Sequence, residues 1–579
     1  MAKNVAKQLV DTLEKAGVKR IYAVTGDSLN YVNDAVRKNG NIQWIHVRHE
    51  EVGAYAAGAE AQLHGQLACC AGSSGPGHVH LVNGLYDAHR SGASVLAIAS
   101  TIPSHEVGMG YFQETNTIKL FDDCSCYNQM AYTPKQLPRM LQAAMQHAVS
   151  SKGVAVIGLP GDLASANAEE EITSDLPQPG HEQICPSAHE VKGLADLLNK
   201  TQKVTLYCGI GARYAHTEVS KLSSLLNAPV VYSFKSKMDI QYDMPHEVGM
   251  TGLLGMPSGY KSMHEADVLL LLGTDFPYEN FMPDHNTIIQ IDINPDRLGR
   301  RAKIAKGFCG DIRTTLQALL PHIQQKEEDS FLQHQLNVYE KVKENLKESA
   351  DARGKEGSIA PEYVMSLVNE LATEEAVFTV DTGMTCVWGA RYLHATGKRS
   401  MLGSFNHGSI ANAMPQAIGA SLAYPDRQVI ALCGDGGLSM LLGDLATIVQ
   451  YKLPIKLVVF NNRSLGMVKL EMEVAGLPDW QTDMYNPDFA RIALSMGMAG
   501  YNVSNPEDVL PVLTKAFAAE GPVLVNVFTD AHALAMPPKI EFFQMKGFAE
   551  SMYKLLLEGK GSTIKDTISS NVKHIKEVF

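Results

Sequence analysis

Short apolar runs recur along the chain at spacings that suit a wound α/β protein. In the first third these are RIYAVTG, LACCAGS, SVLAIAS and GVAVIGLP, each closed by glycine, proline or polar residues and separated by helical stretches. Ahead of them, Val5, Leu9 and Leu13 mark one face of a helix that Gly17 stops. An acidic, proline-bearing linker follows (ANAEEEITSDLPQPGHEQICP), and the rhythm resumes with KVTLYCGIG, PVVYSF, ADVLLLLGTD and IIQIDINP. A charged helical connector runs to about residue 357 before a third set: AVFTVDTG, QVIALCGDGG, PIKLVVFNN and PVLVNVF. Strands alternating with helices predict an α/β protein of three doubly wound parallel-sheet domains, with a helical C-terminal tail. The expected limits are 1–182, 183–334, 335–533 and, for the tail, 534–579.

Composition narrows the class. With 45% hydrophobic and 19% charged residues the chain reads as a soluble globular protein, and a net charge of −12 argues against a nucleic-acid groove. Nine cysteines without a CxxC pair suit a reducing compartment rather than a disulfide framework or zinc site. The N-terminal stretch lacks the apolar core of a signal peptide, and no run approaches the ~18 apolar residues of a membrane span. The expected location is the cytoplasm.

Candidate chemistry centres on ALCGDGGLSM, where an apolar strand breaks on glycines and restarts as a helix. Twenty-seven residues past Asp435, the strand PIKLVVF ends in Asn461-Asn462, followed by RSLGM. Neighbouring parallel strands would set Asp435 and Asn462 side by side at their carboxyl ends, where open α/β sheets bind ligands. Carboxylate and amide oxygens suit a hard octahedral cation that keeps ligand sites for phosphate, and glycine amides at a helix start suit the phosphate itself. Taken singly, an N-cap aspartate and a turn asparagine remain the plainer readings.

A GDG followed by NN at this spacing resembles the thiamine-diphosphate enzymes, and the resemblance extends over about 530 residues. It assigns thiamine diphosphate and Mg²⁺ to the third domain: Asp435 and Asn462 as metal ligands, with Gly436, Gly437, Arg463, Ser464, Leu465, Gly466 and Gly383 around the diphosphate. FNHGSIANAMPQAIGA resembles the segment holding the aminopyrimidine ring, through Gly408, Ser409 and Ile410, although Ile410 also reads as a core residue. VRHEEVGAYAAGAEAQ resembles the glutamate helix of the pyrimidine domain, with Glu50 at the catalytic position and Glu51 favourable to the helix dipole; GSSGPGHVHLVNGLYDA resembles that domain's glycine-rich loop. A carboxyl hydrogen-bonded to the pyrimidine N1′ drives the tautomerisation that lets the cofactor's own amino group deprotonate its thiazolium, a general acid–base role. In this family the glutamate and the diphosphate site come from different subunits. The implied active site lies at a dimer interface, in an oligomer that is usually a tetramer.

The middle domain resembles the flavin-binding domain of the pyruvate oxidase and acetolactate synthase branch. Gly209 and Gly211, the TGLL segment (Thr251, Gly252, Leu253, Leu254), the run Thr274, Asp275, Phe276, Pro277, Tyr278, and Asp292 at a strand end are the expected FAD contacts, though each alone suits a turn or cap. GYFQETNT resembles the pyruvate oxidase segment whose Phe-Gln pair, here Phe112 and Gln113, lines the keto-acid pocket; core packing is the plain alternative for Phe112. Met467 stands where such oxidases generally carry an aromatic, and a polarizable side chain can fill that gap. In the tail, Ile564, Ile568, Val572 and Ile575 form one stripe among Lys565, Lys573 and Lys576. That pattern suits either docking on the protein or a helix lying on an anionic bilayer. The resemblance implies a peripheral flavoenzyme on the inner face of the cell membrane that oxidises pyruvate to acetate and carbon dioxide and reduces a quinone. Its alternatives are an oxygen- and phosphate-dependent pyruvate oxidase, an acetolactate synthase with a structural flavin, and an idle binding subunit, against which the presence of Glu50, Asp435 and Asn462 speaks.

Overall fold

The computed structural model of the chain describes residues 3–169 and 183–533. The expected membrane-associating tail, 534–579, lies outside the described residues, as does most of the acidic linker. The expected α/β class is borne out: three six-stranded sheets, every pairing within them parallel, are accompanied by one short antiparallel hairpin, Gly354–Lys355 with Ser358–Ile359. Numbered by chain position within each sheet, the first and third share the order 2-1-3-4-6-5, and the middle one runs 3-2-1-4-5-6.

In every sheet the four inner strands are those marked by the apolar runs, and the two edges are strands the runs do not mark. The unmarked edges are Gln43–His46 and Tyr127–Met130 in the first sheet, Glu247–Met250 and Lys306–Cys309 in the second, and Ser400–Gly403 and Ala499–Val503 in the third. Inner strands are covered by helices on both faces and so read as continuous apolar sequence; all seven residues of Val95–Thr101 are buried. Tyr127–Met130, at an edge, has no buried residue and therefore no such signal.

The first and third units share one core. The helix Glu50–His64 (EEVGAYAAGAEAQLH) lies against the helix Ala413–Ala423, and Ala54, Tyr55, Ala57, Met414, Ala417 and Ile418 are buried between the two sheets. Alanine and glycine along both helices permit close axial approach. The tightest point is Gly419, where a Cβ would stand 2.1 Å from the Ala56 carbonyl oxygen. The middle unit has its own core around Leu206, Leu270 and Ile289, and is tied to the third by Lys237, whose ammonium donates to the Ala390 carbonyl at 2.6 Å.

Gly419→Ala should therefore lower stability by about 1–3 kcal/mol, since the methyl meets a backbone oxygen with little freedom to move. Thermal unfolding followed by circular dichroism checks this, with Gly521→Ala, where nothing lies within 4 Å, as the tolerated control. An unchanged melting temperature in Gly419→Ala would refute the close helix contact.

Candidate active site

The third sheet reverses its winding between its first strand, Val377–Val380, and its third, Val429–Gly434, and ligand clefts form at such points. The segments leaving these two strands meet there. Asp381, directly after the first strand, is buried and accepts from the Ala413 N–H (3.0 Å) and the Gly434 N–H (3.0 Å); burial pushes its carboxyl up to about 7. A Cβ on Gly437 would sit 2.3 Å from the Asp381 carboxylate, so glycine is required for the turn to close. Gly383, at φ +117°, precedes the helix Met384–Tyr392, and nothing lies within 4 Å of where its side chain would begin. Its positive φ suits glycine, and the space beside it is open to a ligand.

Asp435 opens the short helix that follows the third strand. Its Oδ1 accepts from the Gly436 N–H (2.9 Å), and its Oδ2 accepts from the Arg463 N–H (2.7 Å) and the Asn486 amide (2.7 Å). The adjacent strand, Lys456–Asn461, delivers Asn462 beside it, with the Asn462 Oδ1 taking the Ser464 N–H at 3.0 Å. Arg463 is held at φ +55°, its guanidinium turned over the Phe528 ring. A strap at 482–486 pairs back on this loop through Leu465 N–H to Thr482 O (2.8 Å) and Met484 N–H to Arg463 O (2.8 Å), which brings Asn486 to Asp435. Burial raises the Asp435 carboxyl above its ordinary range, and the groups opposing it are neutral N–H donors. A buried carboxylate with neutral donors and an amide oxygen at its side fits a divalent cation as its missing counter-charge.

The helix Gly466–Val474 continues from this loop. Met467 is half-buried against the third unit's core. Further along, Glu473 is 0% exposed and neither of its carboxylate oxygens has a partner; the Lys469 ammonium is 3.9 Å from Asp479 close by. Burial pushes Glu473 up to about 7, with Lys469 opposing and Asp479 reinforcing the rise.

Glu50 lies in the first unit. It opens its helix, is buried, and pairs with His80 Nδ1 at 2.9 Å; the His80 ring stacks on His49 with centroids 4.5 Å apart. Its other oxygen approaches Gly77 of the glycine-rich loop, and in the same loop the Ser74 hydroxyl donates to Gln113 Oε1 at 2.8 Å. Gln113 holds φ +64° and packs on Gly75. Phe112 is 78% exposed, so the core-packing alternative does not hold. Ser409 is tied to the first unit by the Asn83 amide at 3.0 Å; Gly408 takes φ +75°, and Ile410 is half-buried rather than a core residue. The hydrogen-bond partners of Glu50 and those of Asp435 have no residue in common.

At the middle sheet the winding reverses between strands Val204–Cys208 and Val268–Leu272. Gly209 and Gly211 press against Gly273 and Thr274, while Gly252 (φ +96°) packs on the Phe276 ring, with Leu253 exposed and Leu254 reaching two cores. Tyr278 meets the Phe276 ring edge-on, past Pro277, and Asp275 is engaged by Arg300 and Arg301. Asp292 accepts the Asn294 N–H at 2.9 Å through Oδ1, whereas its Oδ2 and the Thr251 hydroxyl are buried without partners. Two orphaned buried oxygens beside glycine turns fit a ligand rich in hydroxyl groups and phosphate. His80, Asp381 and Asn486 had not been singled out from sequence. The first two lie inside stretches already noted, whereas Asn486 carries no local signal.

Residues 3–120 match the N-terminal TPP binding domain of thiamine pyrophosphate enzymes, 191–319 their central domain and 381–527 their C-terminal TPP binding domain. YdaP of Bacillus subtilis, known by name only as a thiamine pyrophosphate-containing protein, is 34% identical over 582 residues, covering 100% of both chains. Pyruvate oxidase of Lactiplantibacillus plantarum is 34% identical over 90% of this chain and 87% of its own. An acetolactate synthase of Mycobacterium bovis is 27% identical over 92% and 89% respectively.

The Glu473 environment makes a testable statement about pH. Its folded-state value, about 7, lies above the ~4.3 of an unfolded chain, so the folded protein takes up a proton between those limits and loses stability as pH rises through them. Glu473→Gln should melt like the parent near pH 4 and a few degrees higher at pH 8. Equal melting temperatures at pH 8 would show that the carboxylate is not held in an unfavourable place.

Proposed function

Because the chain belongs to the thiamine pyrophosphate enzyme family, we propose that it is a flavin-containing member that decarboxylates pyruvate oxidatively to acetate and carbon dioxide, passing electrons through FAD to a membrane quinone. The observation that carries this reading is the presence of two switch-point clefts in one chain. One is acidic, around Asp435 and Asp381; the other has the unpartnered Asp292 and Thr251 oxygens beside Gly209 and Gly211. When bound, thiamine diphosphate supplies a thiazolium that becomes a carbon nucleophile and electron sink, and FAD accepts an electron pair.

The chain's own residues set the rest. Asp435 and Asn462 would hold Mg²⁺, and the helix-start amides of Gly437 and Gly466 would receive the diphosphate, with Gly383 leaving room for it. Gly408, Ser409 and Ile410 would seat the pyrimidine. Glu50, fixed by His80, would hold a proton at the pyrimidine N1′. Gln113 accepts from Ser74 through Oε1, which leaves its Nε2 hydrogens for the substrate carboxylate; Phe112 would shield that pocket from water, and Met467 would fill the gap between cofactors. The separate partner sets of Glu50 and Asp435 fit a homo-oligomer in which Glu50 of one copy would serve the cation site of another, with exposed Phe112 (78%) and Trp480 (74%) covered there. Among the described residues no helix is long and apolar enough to cross a membrane, so the association proposed is peripheral, at the inner face, through the tail.

Anaerobic addition of pyruvate to enzyme loaded with thiamine diphosphate, Mg²⁺ and FAD should bleach the flavin, and a quinone analogue should restore the colour faster than oxygen. Absence of bleaching, with acetolactate accumulating, would favour the synthase instead; rapid reoxidation by oxygen with acetyl phosphate formed would favour the phosphate-dependent oxidase. Glu50→Gln should retain flavin yet slow its reduction by about 10²-fold or more. Full reduction rates would remove Glu50 from this role. Truncation before Ser562 should abolish liposome binding, and unchanged binding would refute the tail's part.

A further inference from the structure

Asn486, which reaches Asp435 by its strap, heads a continuous line of side-chain amides. Its Nδ2 donates to Asp435 Oδ2 (2.7 Å) and also to Asn461 Oδ1 (2.9 Å). Asn461 Nδ2 donates to Asn526 Oδ1 (3.0 Å), Asn526 Nδ2 to Asn502 Oδ1 (2.8 Å), and Asn502 Nδ2 to Asp488 Oδ1 (2.8 Å). Asp488 caps the helix Phe489–Met496 by accepting the Arg491 N–H. The line crosses three adjacent parallel strands of the third sheet. Asn502 stands opposite Asn526 in register, and Asn461 lies two residues past Val459, the partner of Asn526 on the other side, hence on the same face.

Asparagine is disfavoured in strands, and Asn461 and Asn526 are 2% and 0% exposed. An apolar face would serve packing at lower cost, because each buried amide must keep its partners or lose stability. Asn486 donates both to Asp435 and into the line; past it, Asn461, Asn526 and Asn502 each donate away from the cleft, and the line ends on a carboxylate whose charge favours that sense. Asn486 thereby commits both amide hydrogens, one of them to Asp435 Oδ2. That oxygen is doubly held, by Asn486 and by the Arg463 N–H, which leaves Oδ1, with only the Gly436 N–H, to face a cation.

We propose that Asn486, Asn461, Asn526 and Asn502 form a one-way amide ladder, anchored on Asp488, that fixes the Asp435 carboxylate for cation binding; Asn486 is a positioning residue. This rests on the cation–diphosphate reading of Asp435 and Asn462. Partners that orient a metal ligand from behind typically contribute ten- to hundredfold in metal affinity.

The test is calorimetric titration of Mg²⁺ into the cofactor-free full chain at fixed thiamine diphosphate, with the melting temperature measured alongside. Asn486→Ala should weaken Mg²⁺ binding about ten- to hundredfold. Asp488→Asn keeps a good helix cap, so its melting temperature should stay put while Mg²⁺ binding falls by a smaller factor, about threefold. Asn526→Leu, similar in shape, should weaken binding in the same sense. Unchanged Mg²⁺ affinity in Asp488→Asn and Asn526→Leu, whatever Asn486→Ala does, would overturn the ladder. A parent chain that binds thiamine diphosphate without regard to Mg²⁺ would overturn the cation clamp, and the ladder's purpose with it.

Discussion

The placement of the Glu50 and Asp435 environments depends on how closely two helices approach: the one that begins with Glu50 and the one that carries Gly419 against the Ala56 carbonyl. Small residues on both let the first and third sheets condense into one core, so that each unit's cleft is held relative to the other's by packing rather than by a linker. The same contact brings the helix Val82–Ser91 alongside, whose Asn83 bonds Ser409 and whose Asp87 accepts from Gln416. A shift of that helix pair would move the Glu50 carboxylate and the 408–410 segment together.

Within that frame the clefts are places where polarity is forced into the interior. Asp381 and Asp435 are buried at the carboxyl ends of neighbouring strands and are satisfied by backbone N–H groups and an amide rather than by cationic side chains. Such an arrangement disfavours the charged form of both acids, and burial raises each of them above the ordinary carboxyl range. The middle sheet works differently. Its cleft is built from glycines in contact across a turn, and its unsatisfied atoms are few and neutral or single-charged.

Legibility in the sequence followed the same physics. Inner strands such as Val429–Gly434 and Lys456–Asn461 are mostly apolar because both faces are covered, and so the loops that follow them, with Asp435 and Asn462, could be placed from sequence. Edge strands such as Ala499–Val503 mix exposed and buried positions, and with them Asn502 escaped notice. His80 and Asp381 lay in stretches already singled out; what was invisible was their partner, since a hydrogen bond from His80 to Glu50 spans 30 residues of sequence. Asn486 had no signal at all, because its position depends on a strap folding back over the loop of another strand. Phe112 and Ile410 each left core packing open as an alternative, and their exposure in the fold decides against it.

The common strand order of the first and third sheets has a consequence for how the chain divides its labour. In both, the third strand leads into a glycine-bearing turn and a short helix: Ala68–Gly72 into Ser-Ser-Gly-Pro-Gly, and Val429–Gly434 into Asp-Gly-Gly. In both, the first strand runs into a glycine-bearing turn as well, Val-Thr-Gly-Asp in one and Val-Asp-Thr-Gly in the other. One architectural slot is thus present twice with different contents, a serine-bearing turn here and an acidic one there. Substitutions at one slot need not be matched at the other, so each can specialise while the scaffold they share stays as it is.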